Sequence, residues 1–350
     1  MNKLYDMRSK LLVICGPTAT GKTDLALKLA KKFKGELVSA DSRQVYRGMD
    51  IGTGKDLPQG AKWRRAKFSM GYYLVEGVKI WGYDLVDPKE EFSVGKYVKI
   101  AKKIIEDTRA RKRLPVLVGG TGLYIKGIVD GIATSGIPRD ESLRKFLEKK
   151  KPSELYDQLA QLDPVRAASM NASDRKNPRR LVRAIEIASS RVKSPRPRQA
   201  KRGGPKTKVK SLEADVLFVG LTDTRANLNK RIEKQVDERL KRGFERELKN
   251  LITNGVNWEH QSMSSLGYRQ WTPYSSYLLP RAMSSRRRGE STGQEVRKKV
   301  IADWVKEEKK YARRQMIWFV KDKRIKWFNV SNEGWQKRVE KLVGKWYSSK

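Results

Sequence analysis

Residues 11–23, Leu-Leu-Val-Ile-Cys-Gly-Pro-Thr-Ala-Thr-Gly-Lys-Thr, constrain the fold more than any other stretch of the chain. Five apolar residues run directly into the spacing GxxxxGK followed by Thr, which predicts a buried strand, a tight loop and a helix start in that order. Backbone N–H groups converge in such a loop, and the helix N-terminus beside it carries partial positive charge. Glycines at Gly16 and Gly21 allow backbone angles and close approach that a Cβ would forbid. Lys22 supplies a point charge and Thr23 a hydroxyl for Mg²⁺. The candidate phosphate-binding set is therefore Gly16, Pro17, Thr18, Ala19, Thr20, Gly21, Lys22 and Thr23. By itself the set specifies a polyphosphate and not which one.

Charge narrows the partner. The 350 residues carry 78 Lys and Arg against 39 Asp and Glu, a formal net charge of +39. That excess points to a polyanion, with RNA and DNA equal at this level. A membrane surface is the weaker reading, because Trp and Tyr are spread along the chain and no apolar run approaches the roughly 20 residues of a span. Met1 to Lys10 is too short and polar for a secretory signal, so a cytoplasmic, monomeric protein is expected. One cysteine, Cys15, excludes an internal disulfide and reads as a small packing residue at the strand end. With a single histidine, His260, neither a zinc site nor a Ser-His-Asp triad can be assembled.

The pattern predicts an α/β fold, a P-loop NTPase-like parallel sheet flanked by helices, with an inserted small helical lobe. After the loop, a helix runs to Lys34 and is closed by Gly35; Glu36 to Ala40 forms a second strand and Asp41 to Tyr46 its exit. Residues 71–86 read as a hairpin. Phe92 to Arg113 is a helix capped by Ser93, and Leu114 to Val118 is a buried strand ending in Gly119-Gly120-Thr121-Gly122. Short polar helices at 140–150, 153–161, 164–170 and 178–190 form the lobe, and 192–210 is a basic loop without acid. A strand at 213–221, helices at 225–242, 244–254 and 296–320, and a loosely structured stretch at 272–294 complete the chain. The expected divisions are 1–136, 137–212 and 213–350.

Carboxylates must carry the acid–base chemistry. A nucleoside triphosphatase places a second carboxylate at a strand end to hold Mg²⁺, yet the best later strand ends in Gly119-Gly120-Thr121. Asp41 is the one carboxylate expected at a strand exit near the loop. Its neighbours Ser42, Arg43 and Gln44 suit hydrogen bonds to a base. A general-base role is favoured for Asp41, with metal holding left open.

Six motifs in order carry a resemblance: GPTATGKT from Gly16, DSRQVY from Asp41 with GMDIG from Gly48, GGTGLY from Gly119, NPRRLVRAIE from Asn177, LGYRQ from Leu266 and RRQMIW from Arg313. Together they resemble the tRNA dimethylallyltransferases, also called tRNA isopentenyltransferases, over residues 11 to about 320. The resemblance implies that the loop holds the diphosphate of dimethylallyl diphosphate as a leaving group, with no ATP consumed. The dimethylallyl group passes to N6 of the adenosine just 3′ of the anticodon. It further implies that Asp41 is the base, that Thr121 and Lys22 join it in catalysis, and that Ser42, Arg43 and Gln44 touch the target base. Arg144, Arg179, Arg180 and Arg183 would meet the tRNA anticodon stem-loop, and Tyr268, Arg269 and Gln270 would shape the pocket. Arg179 stands where the family usually has Gln. The rival readings are a P-loop small-molecule kinase, a free-adenylate isopentenyltransferase, and a non-enzymatic nucleic-acid-binding protein with a nucleotide site.

Overall fold

The computed structural model describes residues 10–55, 57, 61–66, 71–132, 134, 137, 139–193, 212–274 and 293–349. The chain forms two compact units, Met1–Val129 with Ser211–Lys350, and Asp130–Lys210. The expected divisions lay instead at 136/137 and 212/213.

The first unit begins with β1 (Lys10–Cys15), α1 (Lys22–Lys32), β2 (Gly35–Ser39), the short edge strand β3 (Trp63–Arg65), the hairpin β4 (Gly71–Val75) and β5 (Val78–Trp81), α2 (Val94–Ala110), β6 (Leu114–Gly119) and α3 (Gly122–Val129). In the second unit follow α4 (Glu141–Leu147), α5 (Pro152–Leu162), α6 (Pro164–Ala168), α7 (Ala172–Arg175) and α8 (Pro178–Lys193). The first unit resumes with β7 (Asp215–Thr222), α9 (Arg225–Lys241), α10 (Phe244–Thr253), α11 (Gly293–Phe319), β8 (Lys326–Asn329) and α12 (Trp335–Ser348). Among the described residues, eight strands make one sheet in the order β3-β4-β5-β2-β6-β1-β7-β8. Only the β3-β4-β5 pairings are antiparallel.

A strand buried on both faces reads as a continuous apolar run, and β1 shows why. Leu11, Val13 and Cys15 face one hydrophobic core, while Leu12 and Ile14 face the other. Parallel register opposes Cys15 to Gly119 of β6 and Gly220 of β7, and Ser39 of β2 to Val118. The ends of these strands therefore share one sheet edge. Burial pushes the Cys15 thiol up to about 12, despite the pull of Lys22, so it packs as a neutral group. The second unit has its own core around Leu147, Leu155, Leu159, Leu181 and Ile185. Its short helices are capped by Asp140, Asp163 and Asn171, whose side chains accept backbone N–H groups. No described helix is long and apolar enough to cross a membrane.

Several local expectations are corrected. Gly35 does not close α1; it opens β2, where a Cβ would stand 2.8 Å from the carbonyl oxygen of Leu114. Lys34, at φ 52°, makes the left-handed turn instead. The aromatic and lysine-rich terminus adds a parallel edge strand and a helix packed through Val339 and Val343. Residues 194–210 and 275–292, most of the basic loop and of the loosely structured stretch, lie outside the described residues; Arg269–Tyr274 is a 3-10 helix.

One buried charge holds the sheet to α2. Glu36 on β2 is 1 % exposed. It accepts from both terminal nitrogens of Arg111 and from Trp81 Nε1 at 2.9 Å. Burial alone would raise its pKa; the hydrogen bonds from Arg111 and Trp81 overcome that and hold it below the ordinary value. Replacing Glu36 by Ala should cost about 1–3 kcal/mol, because buried Trp81 Nε1 loses its acceptor while the partly exposed Arg111 keeps Asp107. Because the folded-state pKa is lowered, the contribution is complete above the unfolded value of about 4.3 and fades as pH falls through the folded one. Urea melts at pH 7 and pH 3 should show the gap between wild type and Glu36→Ala narrowing in acid.

Candidate active site

The loop after β1 is built as its sequence requires. At Gly16, φ 133°, a Cβ would lie 2.2 Å from the carbonyl oxygen of Leu221 on the neighbouring strand. Ala19 and Gly21 are also left-handed, at φ 65° and 73°. Thr20 is buried and donates to Pro17 O at 2.9 Å, and Lys22 Nζ lies 2.6 Å from the same oxygen. Thr18, Ala19, Gly21, Lys22 and Thr23 line a cleft of about 360 Å³. Gly16, Pro17 and Thr20 shape the loop from behind.

Asp41, Ser42, Arg43 and Gln44 line the same cleft. Asp41 Oδ1 accepts the Arg43 N–H at 2.8 Å, an Asx-type turn that fixes the carboxylate against its own backbone. Arg43 is steadied by a bond to Gln261 O at 3.2 Å. Thr121 stands behind Ser42: its Oγ1 accepts the Ser42 N–H at 3.1 Å, and its own N–H donates to Ala40 O. Gln44 is committed to the scaffold. It accepts from Ser39 Oγ at 2.9 Å and donates to Gly54 O at 2.8 Å.

Sequence reasoning gave no role to the residues that hold these parts together, although Gln315 lies in the RRQMIW motif. Gln315 on α11 accepts the Thr18 N–H at 2.9 Å and donates to Gly120 O at 3.0 Å, so one buried amide joins the phosphate loop to the Gly119–Gly122 turn. Glu247 on α10 accepts the N–H groups of Asp50, Ile51 and Gly52 at 2.8, 2.7 and 3.0 Å, organising the Gly48–Gly52 loop around its carboxylate. Arg239 and Glu308 form a buried ion pair at 3.0 Å on the cleft wall. Tyr311 lines the cleft as well; burial and the nearby Asp41 carboxylate push its phenol far above the ordinary value, so it remains protonated. A signal for Tyr311, Arg314 and Gln315 existed in their i, i+3, i+4 spacing, which puts them on one helix face.

Other expected contacts are placed elsewhere. Tyr268 is fully buried and donates to Glu247 Oε1 at 2.5 Å, so it supports the Gly48–Gly52 loop from the core and does not reach the cleft. Gln270 accepts the Gly267 N–H at 2.9 Å and tightens its own turn, while Arg269 lines the cleft and pairs with Glu307. In the second unit, Arg144 is spent on Glu186 through bonds of 2.6 and 2.7 Å. Arg183 binds the same carboxylate and the carbonyls of Thr134 and Ile137. Both are held by Glu186, with 18% and 30% of their side chains exposed. Arg179 and Arg180 are exposed, the latter paired with Asp174. Asp41 is also not the sole carboxylate at a strand exit: Asp223 follows β7, but Thr224 N–H, Asn227, Ser331 and Arg231 saturate it and it stays outside the cleft.

A parallel sheet whose edge presents a phosphate loop and an opposed carboxylate in one cleft defines a P-loop group transferase. The IPP transferase family model matches residues 44–322, and the isopentenyl transferase model residues 9–78. The tRNA dimethylallyltransferase of Carboxydothermus hydrogenoformans is 34% identical over 341 residues, covering 96% of this chain and 97% of that one. That of Anoxybacillus flavithermus is 32% identical over 338 residues, 96% of both chains. The crystal structure of the full-length tRNA isopentenylpyrophosphate transferase from Bacillus halodurans superposes with a TM-score of 0.62 at 28% identity, covering 97% of this chain and 96% of that one. The chain belongs to the tRNA dimethylallyltransferase, or IPP transferase, family.

If Gln315 fixes the distance between the phosphate loop and the turn, Gln315→Leu should leave the Thr18 N–H and the Gly120 carbonyl without this partner. A loss of about 10²-fold in kcat/KM is expected from the misplacement, with circular dichroism unchanged; activity within twofold of wild type would show that the loop holds itself.

Proposed function

We propose that this chain transfers the dimethylallyl group of dimethylallyl diphosphate to N6 of the adenosine 3′ of the anticodon, releasing diphosphate. The observation that carries this reading is that Lys22 and Asp41 line one cleft of about 360 Å³. An adenine N6 lone pair is delocalised into the ring, so the amine is a poor nucleophile. It needs a base on its side and a stabilised departing charge on the other.

The loop amides of Ala19 to Thr23, the α1 N-terminus and Lys22 receive the diphosphate as the C–O bond breaks; being fixed in advance, they supply the largest part of the rate. Asp41 accepts the N6 proton. Thr121 sets the Ser42 backbone, and Ser42 and Arg43 meet the target base, which leaves the loop stack to enter the cleft. Arg179 and Arg180 offer surface charge to the tRNA backbone. The residues fit Mg²⁺: Thr23 lines the cleft beside Lys22 and carries a hydroxyl, a hard oxygen donor. The ion would therefore take Thr23 and the diphosphate oxygens, a usual Mg²⁺ arrangement, and neutralise the leaving charge. The protein acts as a cytoplasmic monomer on this reading.

Incubating an unmodified tRNA with dimethylallyl diphosphate and Mg²⁺ should add one C5 unit to the adenine, read by mass spectrometry of the anticodon loop; ADP release from ATP with a small acceptor would contradict the assignment. Asp41→Asn should lower kcat by about 10²- to 10⁴-fold while tRNA affinity is retained. Unchanged turnover in that variant would remove Asp41 from the chemistry.

A further inference from the structure

The Gly119–Gly122 turn and α11 meet in matched steps. A Cβ on Gly120 would stand 2.1 Å from the Gln315 side chain, and a Cβ on Gly122 would stand 2.1 Å from the indole of Trp318. Alternate residues of the turn thus seat residues one helical turn apart on α11. Tyr311, Arg314 and Gln315 line the cleft, and Trp318 continues their face at i+7, i+4 and i+3. Gln315 is buried, but Trp318 is 47% exposed, and its neighbours Ile317 and Leu123 are 49% and 45% exposed. A large aromatic seated on a glycine next to Thr121, yet open to solvent, is not explained by core packing.

The surroundings identify an occupant. Arg313 and Arg314 precede Trp318 as exposed residues on the same helix, and Lys321 follows as another. An exposed aromatic among cations, one helical turn beyond residues that line a cleft, is the arrangement that grips single-stranded nucleic acid, the aromatic stacking a base and the cations meeting phosphates. An isoprenoid needs an enclosed apolar wall, which a half-exposed rim does not give. We propose that Trp318 is a stacking platform for an unpaired RNA base flanking the adenosine that enters the cleft. This deepens the proposed function and rests on it for the identity of the RNA.

The test measures binding apart from transfer, using a synthetic unmodified anticodon stem-loop RNA. Trp318→Ala should weaken its Kd by about 5- to 100-fold, as loss of one stacked base does. Trp318→Phe should recover most of the affinity. The salt dependence of binding should keep its slope, since no phosphate contact is removed, and the KM for dimethylallyl diphosphate should not move. Placing abasic sugars one at a time beside the target adenosine should reveal one position at which wild type and Trp318→Ala bind alike. An unchanged Kd, a raised KM for dimethylallyl diphosphate, or no such position would overturn the proposal. Should Trp318→Ala melt early, Gly122→Ala, which displaces the indole, and Trp318→Phe carry the comparison. Failed C5 transfer with this binding pattern intact would refute the proposed function and leave the platform standing.

Discussion

Parallel strand pairing at the centre of the sheet is the constraint on which the site depends. Because β1, β2, β6 and β7 run the same way and in register, their exits are forced into close company. The crowding is severe: a Cβ at Gly16 would meet Leu221 O at 2.2 Å, and one at Gly119 would meet Ala40 O at 2.3 Å. The glycines therefore let backbone approach backbone, and that approach brings a phosphate loop and a carboxylate into one cleft.

Irregular loops at such an edge must satisfy their own backbone groups, and buried polar side chains do this here. Gln315 serves one amide and one carbonyl on two loops, and Glu247 takes three successive N–H groups and the Tyr268 hydroxyl. Lys55, fully buried, ties Asp84, Asp50 and the Tyr46 carbonyl together beneath the same loop. Rigidity is thus concentrated under the cleft, where charge must be met by groups already in position. The strong positive charge of the chain is spent differently: Arg144 and Arg111 neutralise buried carboxylates, while Arg313 and Arg314 on α11 are exposed.

Much of the fold was legible because its signals are local. The apolar run at Leu11–Cys15, the Ser93 cap of α2 and the glycine turns each dictate a conformation within a few residues. Gly35 misled because a glycine after a helix reads as a stop, whereas here it admits a neighbouring strand. Strand β8 and α12 escaped notice because their apolar residues acquire a face only against β7 and α1. The Gly48–Gly52 motif was visible, but its partner Glu247 lies almost two hundred residues away. The shared partner of Arg144 and Arg183, Glu186, was hidden because sequence cannot tell a solvated guanidinium from one paired with a carboxylate. Pairings over such distances are fixed by tertiary packing, which no short spacing records.

The central claim is that one cleft holds the diphosphate at the loop and the reacting carbon toward Asp41. The most direct measurement is a crystal structure with a thiodiphosphate analogue of dimethylallyl diphosphate, whose C–S bond resists departure. The account predicts phosphate oxygens within hydrogen-bond distance of the Ala19 to Thr23 amides and Lys22 Nζ, with the allylic carbon facing Asp41. A diphosphate bound elsewhere, or an allyl group turned away from Asp41, would contradict it.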